Sequence, residues 1–106
     1  MKLYISGPMN GYPNLNEAEF RDVADKLYAK GYLVVVPHDV DPIFGSELPE
    51  LDTIATPQHF IRGDLVAMLK CDGVALLPDA MASWGTNIEV DTAHRVGIPV
   101  RLWNRW

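Results

Sequence analysis

Glu89, Asp64 and Tyr4 are the residues whose types and spacing could do chemistry. Glu89 closes the stretch "SWGTNIE", six residues after Ser83. Asp64 follows Gly63 and lies between Ile61 and Leu65 on an otherwise apolar segment. Tyr4 sits inside the strand-like "KLYIS". Acidic groups converging on one cleft suit glycosidic chemistry, in which one carboxylate attacks the anomeric carbon and a second group protonates the leaving group. The same division of labour would serve an N-glycosidic bond. Each residue also has a plainer reading. Glu89, placed in the first turn of a helix, would complement the helix dipole, an effect of about 0.3–1 kcal/mol. Asp64 would be a solvated helix residue, and Tyr4 a core residue whose hydroxyl finds a nearby acceptor.

Other segments offer less. "SGPMNGYP" holds Gly7 and Gly11 but is neither GxGxxG nor a GK[ST] loop. Its backbone N–H groups could serve an anion or a sugar, or the segment could be a mere turn. His38 and Asp39 could form a metal pair, but no further His or Cys is spaced to complete a site. His59 and His94 read as surface helix residues. Neither a metal nor a cofactor is expected.

These residues need elements to position them. Lys2 to Ser6 reads as a strand. In the helix that follows, Phe20, Val23, Ala24, Leu27 and Tyr28 recur on one face, Asn16 with Glu19 resembles a capping box, and Gly31 stops the helix. Tyr32 to Val36 is a continuous apolar run that suits a strand buried on both faces. His38 to about Thr56 is the longest loop candidate, and such loops are often functional. Thr56-Pro57 starts a second helix, with Phe60, Ile61, Leu65, Met68 and Leu69 inward. Gly63 in its middle costs about 1 kcal/mol relative to Ala. Gly73 to Leu77, the Glu89 helix and Ile98 to Trp103 complete the pattern. On the Glu89 helix, Ala93 and Val96 share a line with Glu89 that leans toward the sheet.

The order β-α-β-α-β-α-β with right-handed crossovers predicts an α/β fold. It is a small flavodoxin-like or Rossmann-like three-layer sandwich with a parallel four-stranded sheet of order 2-1-3-4. Ligands of such sheets bind at the C-terminal strand ends, near the switch point between strands 1 and 3. That selects the loops Ser6 to Asn14, Pro37 to about Thr56, and Pro78 to Thr86, with Glu89 at the edge of the third.

The 106 residues suit one domain, spanning 1–106, and the 48% apolar content supports a real core. The net charge of -5, with nine scattered Lys plus Arg, argues against non-specific nucleic-acid binding. One cysteine, Cys71, excludes an internal disulfide. No segment approaches the roughly 20 apolar residues of a membrane span, and "MKLYISG" is too short an apolar run for a signal peptide. A cytoplasmic protein is expected.

The chain resembles the nucleoside 2-deoxyribosyltransferase superfamily, including the 2'-deoxynucleoside 5'-monophosphate N-glycosidases. It is most similar to small phage and prophage proteins of this fold without an assigned reaction. Four pieces carry the resemblance over nearly the whole chain: "YISG", "DLVAMLKCDGVALL", "SWGTNIE" and "EVDTAHRVGIPV". The resemblance implies that Glu89 attacks C1' of a deoxyribosyl group, that Tyr4 orients the Glu89 carboxylate, and that Asp64 protonates or holds the base. Asp72 would be structural. Ser6, Gly7, Met9, Asn10, Gly11, Ser83 and Gly85 would hold the sugar or its 5' substituent. The substrate would be a nucleoside or nucleotide, and release would go to water or to a second base. The N-glycosidases carry an Arg in loop one that helps bind the 5'-phosphate, whereas this chain reads "GPMNG" with no cation there. Members are oligomeric, so a homo-oligomer is expected, with Trp103 and Trp106 either at a subunit contact or covering the core. "SWG" ahead of a Glu also resembles the NAD-cleaving TIR domains, which makes NAD a further candidate substrate. Two other classes compete with an enzyme: a non-catalytic module that binds a nucleotide or a partner, and an interaction protein with no small ligand.

Overall fold

A computed structural model describes residues 1–44 and 54–106. Four strands, β1 (Lys2–Ser6), β2 (Leu33–Val35), β3 (Gly73–Leu76) and β4 (Val100–Leu102), alternate with three helices: α1 (Glu17–Ala29), α2 (Pro57–Leu69) and α3 (Trp84–Val96). All strand pairs are parallel and the order is β2-β1-β3-β4. The expected α/β fold and strand order are both found. No helix among the described residues is long and apolar enough to cross a membrane.

Alternation along β1 divides the core into two layers, because successive strand side chains point to opposite faces. Leu3 and Ile5 join Phe20, Val23 and Leu27 of α1, together with Ala75 and Leu77. Tyr4 faces the other way, onto Met68, Cys71, Val74 and Ala93. Ser6, two residues on from Tyr4, follows it. The first strand is therefore apolar toward α1 and carries two hydroxyls toward α2 and α3.

The edges of the sheet differ from the sequence expectation. Tyr32 to Val36 reads as a strand buried on both faces, yet β2 spans only Leu33–Val35 and Leu33 is exposed. The strand order itself explains this, since β2 and β4 are edges and lack a neighbour on one side. The third strand stops at Leu76 and the fourth at Leu102, one residue short of expectation at each C-terminal end. Trp103 begins a short 3-10 turn.

Helix ends hold further corrections. Asn16 stands at the N-cap of α1 in the left-handed region, as do Asn14 and Leu15 before it. It forms no backbone capping box. Its amide donates instead to the Pro8 carbonyl and to Glu19, each at 2.9 Å. Thr56 and Pro57 do begin α2, and the Thr56 N–H donates to His59 Nδ1 at 3.0 Å. His59 is buried, not a surface residue. Tyr28, Phe60, Leu69 and Val96, expected to face inward, are exposed. Gly63 has a packing reason. A Cβ there would overlap the Asp41 carbonyl oxygen, where residues 41–43 cross the helix and Ile43 N–H donates to the His59 carbonyl at 2.9 Å. Gly97, at φ 80, caps α3 in the left-handed conformation that glycine adopts without steric cost.

Trp103 and Trp106 pack on the α1 side of the sheet. The Trp106 indole N–H donates to the Val74 carbonyl at 3.1 Å, and its ring fills the space a Cβ on Gly73 would need. Both tryptophans thus cover the core within this chain.

Candidate active site

The deepest polar cluster lies where β1 meets α3. Ser83 caps α3, accepting from the Thr86 N–H, and the helix then carries Thr86 and Glu89 on its buried face. Glu89 is the sixth residue of α3, not part of its first turn, which contains no acidic residue. The helix-dipole reading weakens accordingly, because that interaction fades within the first turn.

Tyr4 and Ser6 project from β1 onto this face. The Tyr4 hydroxyl donates to Glu89 Oε2. The Ser6 hydroxyl lies 2.6 Å from Glu89 Oε1 and 2.9 Å from Thr86 Oγ1. All four side chains are buried; Glu89 is 4% exposed and Tyr4 and Ser6 are wholly covered. Among the described residues no cation stands beside Glu89, and a buried carboxylate without one favours its neutral form. Burial pushes the Glu89 carboxyl up to about 7, hydrogen bonds from Ser6 and Tyr4 pull it back, and the charge of Asp64 adds to the rise. Tyr4 is pushed well above the ordinary phenol value by burial and by the charges of Glu89 and Asp64.

Asp64, on α2, is only partly buried, and this raises its carboxyl to about 6. Among the described residues it accepts no hydrogen bond and forms no ion pair. It lines a cleft of about 920 Å³ at the C-terminal strand ends, together with Met9, Asn10, Ser83 and Gly85. Tyr12, Phe60 and Trp84 also line the cleft and are exposed. No Lys or Arg is among its described lining residues.

The sequence candidates therefore fall into two tiers. Asp64, Met9, Asn10, Ser83 and Gly85 form the cleft wall. Tyr4, Ser6 and Glu89 form a hydrogen-bonded cluster that does not line the cleft as it stands. Gly7 is buried, and a Cβ on it would run into the Leu77 side chain, so it serves close packing. Gly11 is exposed at φ 85, with nothing within 4 Å of the position a Cβ would take, and serves the turn. Asp72 accepts from the Lys2 backbone N–H at 2.8 Å, a structural tie. The possible metal pair separates. Asp39 is held by Arg21 at 2.6 and 2.7 Å, while His38 Nε2 donates to the Leu15 carbonyl at 2.8 Å.

Sequence reasoning missed Thr86 and the aromatic rim. Thr86 was findable, because three residues before Glu89 lies the same helix face. Phe60 was not, since an apolar residue at helical spacing gives no sign that it borders a cleft. Part of the loop from His38 to Thr56 lies outside the described residues.

No curated protein matches the chain. A family model matches residues 1–102, nearly the whole length. The chain belongs to the family described as "Domain of unknown function (DUF4406)".

Proposed function

We propose that this protein cleaves or transfers the N-glycosidic bond of a nucleoside or nucleotide, with Glu89 as nucleophile. The observation that carries the reading is the Tyr4–Glu89–Ser6 cluster. It is a buried carboxylate with a donor on each oxygen and no cation beside it among the described residues, at the C-terminal end of a parallel sheet. Such groups cluster at functional sites, because their protonation is poised near neutrality.

In the ionised form one Glu89 oxygen forms an ester bond to C1' of the sugar. The C1'–N bond breaks, and its electron pair leaves with the base. Tyr4 and Ser6 fix the rotamer of the carboxylate and leave lone pairs free for attack. Asp64 is the natural partner for the base. Burial raises its carboxyl to about 6. At neutral pH Asp64 is therefore ionised and holds the base through an N–H, while the proton that neutralises the departing base comes from water. Water then attacks C1', the ester opens, and Glu89 returns to its carboxylate with a proton released. A second base in place of water gives transfer.

A second reading has its own observation. Glu89 is covered and does not line the cleft, which suits a module that binds a nucleotide without turnover. Free-base release from a panel of deoxynucleosides, deoxynucleotides and NAD separates the two. The enzymatic reading expects release that Glu89→Ala abolishes. A ligand-induced rise in melting temperature with no release supports the binding module. Neither a shift nor release leaves an interaction protein.

A further inference from the structure

The Ser6 hydroxyl has two polar neighbours and one proton. Glu89 Oε1 lies at 2.6 Å and Thr86 Oγ1 at 2.9 Å, all three atoms in buried side chains. An ionised carboxylate only accepts, so with Glu89 charged the Ser6 proton points to Oε1. The 2.9 Å contact is then filled in one way only: the Thr86 hydroxyl donates to Ser6 Oγ. A hydroxyl that accepts a hydrogen bond becomes a stronger donor, and chains of such bonds reinforce one another in a low-dielectric interior.

We propose that Thr86 is a positioning residue for Glu89, acting through Ser6 by fixing the direction and strength of the Ser6 hydrogen bond to the carboxylate. Thr86 is suited to this by its place in the fold. It is 1% exposed and stands one turn before Glu89 on the same face of α3. Its backbone N–H donates to Ser83 Oγ at 3.4 Å, which ties it to the cap at the start of the helix. Ser83 lines the cleft. A continuous line thus runs from the cleft wall through Thr86 and Ser6 to Glu89. The other titratable groups near Glu89 are Tyr4, on the opposite carboxylate oxygen, and Asp64 on α2. Neither contacts Thr86 by a hydrogen bond, so a change at Thr86 reaches Glu89 by way of Ser6.

The assignment rests on Glu89 being the reacting carboxylate, but its test needs no substrate. The chain has five glutamates, so selective carboxyl ¹³C labelling with Glu89→Gln as the assignment control follows the titration of Glu89 alone. Thr86→Val keeps the shape and removes the hydroxyl. The expected result is a rise of the Glu89 midpoint by about 0.5 pH, because the charged form loses part of its stabilisation. Thr86→Ser is expected to restore the wild-type midpoint. In a Ser6→Ala background, Thr86→Val is expected to add nothing, since the pathway is already cut. If the valine variant does not fold, Thr86→Ala carries the same comparison. A Glu89 midpoint that stays within about 0.2 pH of wild type, or that falls, overturns the proposal. So does a Thr86→Val effect that persists without the Ser6 hydroxyl. Base-release activity is measured separately, so an inactive wild type would count against the enzymatic reading and not against the Thr86 pathway.

Discussion

Glu89 and Asp39 are two carboxylates with nearly the same hydrogen-bond count and opposite electrostatics. Each accepts a short bond on both oxygens, Glu89 from Tyr4 and Ser6, Asp39 from the two terminal nitrogens of Arg21. Asp39 is exposed, its donor is a cation, and Arg21 holds its carboxyl below the ordinary range. Glu89 is buried among neutral hydroxyls, and its carboxyl rises to about 7. Hydrogen bonds to the charged form pull both values down. At Glu89 the loss of water outweighs them, with no cation among the described residues to compensate. The first arrangement ties a loop to α1. The second keeps a carboxylate poised between its two forms, which ties and caps do not need.

Substitution separates the two most sharply. Glu89→Ala is expected to reduce base release by about 10³-fold or more, the scale of removing a covalent nucleophile. Asp39→Asn should leave release within about twofold, the scale of a change remote from the reacting atoms. Steady-state rates on the same substrate check both, and equal losses would erase the contrast.

Tyr4→Phe removes one donor from a buried charge. Hydrogen bonds to charged groups are worth about 1.5–3 kcal/mol, which corresponds to roughly a 10- to 100-fold lower kcat. The rise of kcat/KM with pH, centred near 7 in the wild type because Glu89 must be ionised, should move upward. A pH–rate profile unchanged by Tyr4→Phe would show that the hydroxyl does not serve the reacting form.

Stability responds in opposite directions. The folded Glu89 carboxyl titrates near 7, above its ordinary 4.5. Its contribution is complete below about 4.5 and is lost as pH rises through 7, since the native state there binds more protons than the unfolded chain. The folded Asp39 carboxyl lies below 3.8, so its contribution is present above that value and lost on acidification. Glu89→Gln should therefore stabilise the protein at pH 8 by about 2 kcal/mol, the desolvation penalty less part of the hydrogen bonding, and much less at pH 4. Asp39→Asn should cost less than about 1 kcal/mol at pH 8, as exposed ion pairs do. Denaturant midpoints at the two pH values measure both.

The strand order was legible because each of the first three strands is followed by a helix of readable period. Glu89 was legible as a candidate because a carboxylate stood on a helical line that leans toward the sheet; Tyr4 and Asp64 read as core and solvated residues until the resemblance paired them with it. Edge position was not legible: "YLVVV" looks the same in a central or an outer strand, and only the order of pairing exposes Leu33. Nor was the split into two tiers. Spacing places Ser6 and Gly7 at a strand tip, but whether a side chain at the tip faces the cleft or turns beneath it depends on the pleat and on what packs above. Gly63 read as a cost, and the residues that cross it lie some twenty positions earlier in the chain.

Trapping the sugar on the protein shows whether Glu89 is the nucleophile. A 2'-fluorinated arabinosyl nucleoside slows release of the glycosyl ester, and peptide mass mapping after quenching locates it. One glycosyl adduct is expected, on the peptide containing Glu89 and absent from Glu89→Gln. Base released with no adduct, or with an adduct on another residue, would contradict that role.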